Sequence, residues 1–153
     1  MARYVASLNT DRPLEEVFDY LADFSTTAEW DPGVVEASRV GDGPVGMGSR
    51  FDLVTEFMGR RTALSYEIVA FDRPNLVTLR GENATVVSLD TMRFSDTPEG
   101  GTRVSYEADL TLKGPLRALD PLLGLAFNRV GDRAAAGLRA KLTSASPPAK
   151  ARP

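Results

Sequence analysis

The sequence contains no cysteine and no histidine. Without cysteine there can be no disulfide framework, no thiolate metal site and no thiol nucleophile. Without histidine the chain lacks the commonest general base and the commonest metal ligand among side chains. We therefore expect no metal and no cofactor. Any catalysis would have to use carboxylates, tyrosine, lysine, arginine or hydroxyl groups.

The chain also lacks an excess of basic charge and long apolar runs. Its formal net charge is −3, so it offers no basic face for phosphate groups and we expect no nucleic-acid partner. No stretch approaches the roughly 18 apolar residues that indicate a transmembrane helix. The first residues, MARYVASLNTDRP, have no apolar region typical of a signal peptide. These features predict a soluble, cytoplasmic protein without a transmembrane segment.

The chain has 153 residues, of which 42% are hydrophobic, and this is enough for one domain with a sizeable core. We place a single domain at residues 1–142. The remaining segment, TSASPPAKARP, has no periodicity. We predict a disordered tail at 143–153.

The longest periodic stretch is GPLRALDPLLGLAFNRVGDRAAAGLRAKL, residues 114–142. Its apolar residues recur at the spacing of one helix face. Pro121 would remove a hydrogen bond inside a regular helix, but it fits the first helical position after an Asp120 cap. We therefore predict a short turn at 115–119 and a main helix at 121–142. The residues predicted to face a sheet are Leu116, Leu119, Leu123, Phe127, Val130, Ala134 and Leu138.

Most of the chain before this helix has the pattern of short strands separated by turns. We predict strands at 3–8, 34–40, 49–58, 61–71, 76–82, 85–95 and 102–112. The last six follow one another through short connections, which is typical of an antiparallel meander. In the final strand, apolar Val104, Tyr106, Ala108, Leu110 and Leu112 alternate with polar residues. One face is therefore wet, and the long helix is predicted to cover the other, beside this strand.

Two short helices are predicted between the first and second strands. The first has an apolar face that includes Val17 and Phe18, and Thr10 or Asp11 is its predicted cap. Ser25 or Thr26 is predicted to cap the second, which continues to Trp30. Strands and helices are thus segregated along the chain, as in an α+β fold.

The register of strand 85–95 is open from the sequence. If Met92 and Phe94 point to the helix, then Ser88 and Asp90 do so too; the opposite register buries Val87 and Leu89. We favour an exposed or edge-paired Asp90, because a buried carboxylate without a partner is costly. If Asp90 points inward, Arg80 is its predicted partner, and Tyr66 or Tyr106 is placed to donate a hydrogen bond.

Several phrases resemble those of the SRPBCC superfamily, which has the helix-grip fold of START and pollen-allergen-type proteins and includes polyketide cyclase/dehydrase-like members. They are PLEEVFDYLADFSTTAEWDPGV, GMGSRF, YEIVAFDRPNLVTLRGE and EGGTRVSYEADL. The resemblance covers about residues 3–142. It implies a curved antiparallel sheet of about seven strands wrapped around the long C-terminal helix, with two short helices after the first strand. It also implies a deep cavity between the sheet and that helix.

The resemblance transfers no catalytic motif, so the predicted site consists of positions that would line this cavity. If the protein is an enzyme, it would be cyclase/dehydratase-like without metal or histidine, and the candidate catalytic residues are Asp90, Tyr66, Tyr106 and Arg80. The candidate ligand-binding residues are Trp30, Phe51, Leu53, Tyr66, Ser88, Asp90, Met92, Tyr106, Ala108, Leu119, Leu123, Phe127, Val130 and Ala134.

Some of these positions have a structural interpretation as well. For Trp30 we favour a hydrophobic plug over a ligand contact. For Asp31 we favour a role in forming the turn. Small residues on the long helix, such as Gly131 and Gly137, either bring strands close or leave room for a ligand.

Three functions remain open from the sequence. The first is binding of a hydrophobic small molecule such as a lipid, polyketide or quinone. The second is a polyketide cyclase/dehydratase-type enzyme. The third is a protein-interaction or chaperone-cofactor-like module, for which an exposed Leu125 is a faint indication. We expect a monomer or a weak homodimer.

Overall fold

The computed structural model describes residues 2–57 and 59–142, without the side chains of residues 57, 117 and 119–125. Within this part of the chain, strands and helices follow one another in the predicted order. The strands are β1 (Ala2–Thr10), β2 (Val34–Val40), β3 (Arg50–Phe57), β4 (Arg60–Asp72), β5 (Leu76–Glu82), β6 (Val86–Asp96) and β7 (Thr102–Leu112). The helices are α1 (Leu14–Ala22), α2 (Thr27–Trp30) and α3 (Asp120–Leu142), and 3-10 turns at Phe24–Thr26 and Gly114–Leu119 precede α2 and α3.

The seven strands form one antiparallel sheet in the order β1-β7-β6-β5-β4-β3-β2. Strands β2 to β7 are the predicted meander, and β1 closes it by pairing along β7, from Ala2 opposite Leu110 to Thr10 opposite Thr102. The predicted fold class, an antiparallel sheet with a long C-terminal helix and short helices after the first strand, is confirmed.

Strand β6 adopts the register that buries Asp90. Its inward side chains are Ser88, Asp90, Met92 and Phe94, whereas Leu89 is 37% exposed on the outer face. The favoured exposed Asp90 is therefore wrong. The pairing of β6 with both neighbours is regular from end to end, so the face that takes Met92 and Phe94 into the core takes Asp90 as well.

One end of the sheet is closed by α1 through aromatic contacts. The Phe18 ring packs edge-to-face against Phe71 and Phe94, with ring centroids 5.4 and 5.0 Å apart. Beside it, Phe24 of the first 3-10 turn packs on Phe51 of β3. Phe71 is partly buried and the other four rings are buried, and together they form the core at this end.

The helix caps differ from those predicted. Pro13 occupies the N-cap of α1, and no side chain caps that helix. The hydroxyl of Thr10 instead donates to the carbonyl of Leu142, the last residue of α3, and Arg12 Nε donates to the same carbonyl. Thr26 occupies the N-cap position of α2, one of the two predicted, but its side chain makes no capping hydrogen bond. Its hydroxyl group bonds the carbonyls of Tyr20 and Asp23 instead, and the hydroxyl of Thr10 is claimed by a tertiary contact.

Helix α3 lies closest to β1, not to β7, which the sequence predicts as its neighbour. Close approach is possible because Gly131 has no side chain: a Cβ there would overlap the ring of Tyr4. A Cβ at Gly137 would overlap the carbonyl of Trp30. Both glycines therefore serve close packing, and the far side of α3 remains separated from β7.

The apolar stripe of α3 is only partly confirmed. Leu138 is buried, whereas Leu116, in the preceding 3-10 turn, is 38% exposed. The side chains of Leu119, Leu123 and Leu125, the predicted exposed residue, lie outside the described residues, as does the predicted tail at 143–153.

Candidate functional site

A cavity of about 280 Å³ lies between the inner face of the sheet and α3. This volume is close to the lower limit of small-molecule sites, about 300–1,000 Å³. Its exposed rim includes Glu56 at the end of β3. The apolar side chains of the wall come from both sides of the cavity, and among them are Leu8, Leu53, Leu64, Val104, Ala108, Phe127, Val130, Ala134 and Leu138.

Asp90 is the most deeply buried acidic group of the cavity wall. Its side chain accepts hydrogen bonds from the Ser88 hydroxyl at 2.7 Å and from the Tyr106 hydroxyl. Burial raises the pKa of Asp90, although these two hydrogen bonds act to lower it. The carboxyl group is thus partnered but desolvated, which is uncommon away from functional sites.

Tyr66, on β4, lies near Asp90 and Ser88, and a glycine of β5 lies between it and Ser88. It pairs with Gly81 of β5, and Gly81 pairs in turn with Ser88 of β6. A Cβ on Gly81 would lie 2.5 Å from the Tyr66 ring, so the ring occupies the space that any other residue would fill. Burial raises the pKa of Tyr66 strongly, and the charge of Asp90 raises it further.

Asp31 contributes a second carboxyl group from the turn after α2. Its Oδ1 accepts a hydrogen bond from the Gly33 N–H at 2.8 Å, and its side chain lines the cavity. Burial raises the pKa of Asp31 to about 6; the hydrogen bond from Gly33 opposes this effect and the charge of Asp90 adds to it. Asp31 therefore changes charge close to neutral pH. It is the predicted turn former and, in addition, a cavity residue.

Trp30 is buried, as expected of a hydrophobic plug, and it also lines the cavity. Its ring packs edge-to-face on Tyr106 with centroids 6.2 Å apart, and the residue is 4% exposed and lines the cavity. Its carbonyl lies against Gly137 of α3. It closes the site and forms part of its wall.

Of the predicted ligand-binding residues, ten line the cavity, and they are Trp30, Leu53, Tyr66, Ser88, Asp90, Tyr106, Ala108, Phe127, Val130 and Ala134. Phe51 and Met92 are fully buried in the core and do not line it. Leu119 and Leu123 lie outside the described side chains.

Arg80 does not meet Asp90, so the predicted ion pair is wrong. In the β5–β6 register Leu79 lies opposite Asp90, and Arg80 lies opposite the outward-pointing Leu89. Arg80 donates instead to Glu82 at 2.6 Å on the exposed face. A shift of one residue along a strand reverses the face, and for this reason β5 does not supply the partner. Strand β7, on the other side of β6, supplies it through Tyr106.

Many wall residues were not among the predicted ones, and three of the site's unpredicted residues matter most for its polar group and shape: Asp31 as a cavity group, Tyr4 and Gly81. Along β1 every second residue is less exposed than its neighbours, and Tyr4 belongs to this set together with Ala6 and Leu8. This pattern marks Tyr4 as inward-facing. Its hydroxyl donates to Asp132 of α3 at 2.8 Å. For Asp31 and Gly81 no local signal exists, because their positions depend on the pairing of distant strands.

Residues 2–57 and 59–142 contain neither a metal-binding cluster nor a membrane-spanning helix. No group of three or more His, Cys, Asp or Glu residues in this part is arranged to hold a metal ion. The same residues contain no helix with the length and apolar character needed to cross a membrane.

Comparison with solved structures supports the fold. A protein from Thermus thermophilus aligns with a TM-score of 0.77 and 20% identity over 95% of this chain and 99% of its own. A START superfamily protein from Mycobacterium smegmatis aligns with a TM-score of 0.74 and 12% identity over 93% and 97%. The Zhui aromatase/cyclase from a Streptomyces species aligns with a TM-score of 0.71 and 12% identity over 90% and 88%.

At these identities the likeness concerns the fold alone. Among curated proteins, none matches the chain significantly. A family model, in contrast, matches residues 1–143, nearly the whole chain. The chain therefore belongs to the family described as polyketide cyclase / dehydrase and lipid transport.

Proposed function

We propose that the protein binds an apolar small molecule in the cavity between the sheet and α3. The observation that carries this proposal is the cavity of about 280 Å³ with a mostly apolar wall. At about 30 Å³ per molecule this space equals about nine waters. Protein interiors are otherwise close-packed, so an apolar space of this size is costly unless a ligand fills it.

The polar residues of the wall would orient such a ligand. Asp31, Asp90, Tyr66 and Tyr106 are linked electrostatically within the apolar surroundings. Few, well-placed polar groups in an apolar pocket are typical of sites that fix the orientation of a small molecule. We infer that the ligand's polar end lies at this group and its apolar body lies against α3.

Binding is tested by thermal unfolding with a neutral bicyclic probe, 1-naphthalenemethanol. A ligand at a hundred times its Kd stabilises a protein by about 2.7 kcal/mol. For a chain of this size that corresponds to a rise in Tm of about 5–11 °C. Trp30, the only tryptophan, lines the cavity, and its fluorescence should change on titration.

A matched pair of variants locates the site. Ala134 lines the cavity, whereas Ala136, on the same helix, is exposed. Ala134→Leu should fill the space and weaken binding about tenfold or more, while Ala136→Leu should bind like the wild type. Circular dichroism of both variants without probe controls for folding, and Ala108→Leu on β7 is the second cavity-filling variant. Unchanged binding in both cavity-filling variants, or no binding at all, would refute the proposal.

A second function, dehydration of a ligand held in this cavity, is favoured by one specific observation. Asp31 faces the cavity and its pKa is raised to about 6, so it can exchange a proton near neutral pH. In such a reaction the Asp31 carboxylate would remove the proton next to a ketone and return it to the β-hydroxyl group, so that the C–O bond breaks, water leaves and the C=C bond of the enone forms. The absorbance of the resulting enone measures turnover of a β-hydroxyketone. Turnover that survives Asp31→Asn unchanged would remove Asp31 from this role.

A further inference from the structure

The charged groups around the cavity all have the same sign. Its described wall contains three acidic residues, Asp31, Asp90 and Glu56, and no lysine or arginine. The other charges acting on the two buried carboxyl groups are also acidic, since Asp90 acts on Asp31 and Asp109 acts on Asp90. Arg61 lies 3.9 Å from Glu56 and is itself exposed, outside the cavity. Within the described wall, Asp31 and Asp90 therefore have no basic side chain as a counter-charge.

Aromatic rings lie beside these carboxyl groups. The hydroxyl of Tyr106 donates to Asp90, and the Tyr106 ring packs on Trp30, the residue before Asp31. Tyr66 lies in the same wall. Tryptophan and tyrosine rings attract cations through their faces, most strongly when water is excluded. Rings and carboxylates together favour a positive charge and disfavour a negative one.

We propose that the ligand of this cavity is an amphiphilic amine, with its protonated nitrogen beside Asp31 and Asp90 and its apolar body against α3. This inference rests on the proposed binding function and names the chemical class of the ligand. A ligand carboxylate would be desolvated next to two like charges, which is costly. A neutral ligand would displace water from both carboxyl groups without replacing its favourable interaction. Only a cation compensates the charges that the wall already holds.

The charged groups of the wall also predict the pH dependence. The other titratable groups of the described wall are Tyr4 from β1, Tyr106 from β7, Tyr66 from β4 and Glu56 at the rim; the described part of α3 contributes none to the wall. A cation binds the ionised carboxylates, so binding releases protons. Since the pKa of Asp31 is about 6, affinity for an amine should rise from pH 5 to pH 7.5, by about tenfold if Asp31 is the main partner.

Three probes with the same naphthyl body separate the ligand classes: 1-naphthylmethylamine, 1-naphthalenemethanol and 1-naphthoic acid. Calorimetric titration of the full chain at pH 7.5 should give the tightest binding for the amine, about tenfold tighter than for the alcohol, which is 1.4 kcal/mol. The acid should bind most weakly. Asp31→Asn should reduce the preference for the amine over the alcohol about tenfold. The affinity of the wild type for the alcohol should not rise with pH.

The outcomes distinguish this inference from the proposed function. If the alcohol binds and the amine binds no more tightly, the amine inference is overturned and the binding function stands. Equal or tighter binding of the acid overturns it as well. Binding of none of the three overturns both. If Asp31→Asn retains the full preference for the amine, the nitrogen does not lie beside Asp31 and the proposed placement is wrong.

Discussion

Asparagine in place of Asp31 should make the protein more stable above pH 7 and leave its stability unchanged below about pH 4. The substitution keeps the shape of the side chain and the oxygen that accepts the hydrogen bond from the Gly33 N–H. It removes the charge. The Asp31 carboxyl group titrates near 3.8 in an unfolded chain and at about 6 in the folded protein, because folding buries it near Asp90.

The sign of this stability difference follows from the number of protons that the folded and unfolded states bind. Between pH 4 and pH 6 the folded wild type binds more protons at Asp31 than the unfolded chain, so its stability falls as the pH rises. About two pKa units correspond to about 3 kcal/mol at 1.36 kcal/mol per unit. Because Asp31 keeps partial contact with solvent, we expect about half of this, roughly 1–2 kcal/mol. Asparagine has no such penalty at any pH.

Urea unfolding followed by circular dichroism from pH 4.5 to pH 8.5 measures the difference between variant and wild type. It should rise from pH 4.5 to about pH 6.5 and then remain constant. Asp52→Asn, on the exposed outer face of β3, is the matched control and should show no such rise. A difference that is independent of pH, or a variant that is less stable at pH 8.5, would refute the electrostatic account of the cavity.

Two glycine substitutions test the packing that shapes the site. Gly81→Ala should push the Tyr66 ring away and lower the free energy of unfolding by about 1–3 kcal/mol; Gly46→Ala, which meets nothing within 4 Å, should be neutral in the same urea titration. Gly137→Ala should destabilise by a similar amount, because its Cβ would meet the carbonyl of Trp30. Helix propensity alone predicts the opposite, a gain of about 0.5–1 kcal/mol, so a gain in Tm would contradict the close packing of α3.

The elements of the fold are predictable from the sequence because their signals are local. The alternation in β7 and the Asp120-Pro121 boundary of α3 each depend on a few adjacent residues, and the structure has both. The resemblance to helix-grip proteins adds the arrangement of these elements. Because only one face of the sheet is exposed to solvent, the other face must be covered, and the long helix is the element available to cover it.

The partners of Asp90 depend on pairing between distant strands and were predictable only in part. Tyr106 was one of two candidate donors, and it is the one that donates. The exposed Asp90 was favoured because an unpartnered carboxylate is costly, but the register of β6 against β7 places a hydroxyl within reach. The register of β5 against β6 points Arg80 outward. A shift of one residue in the strand pairing would have turned Asp90 outward and Arg80 inward.

The close approach of α3 to β1 depends on glycines whose purpose is ambiguous in the sequence. Gly131 was equally compatible with a ligand and with a close contact, and only the position of Tyr4 decides the question. The ring of a residue more than a hundred positions away cannot be placed by periodicity.

The pairing of β1 with β7 has a consequence for synthesis. Ala2 finds its partner at Leu110, and the ribosome adds roughly 5–20 residues each second. The first strand therefore remains unpaired for roughly 5–20 seconds, until its partner strand β7 has been synthesised. During this time its inward residues, including Leu8, have no sheet to join. Because β1 also forms one wall of the cavity, a nascent chain acquires the binding site only after β7 and α3 have been synthesised.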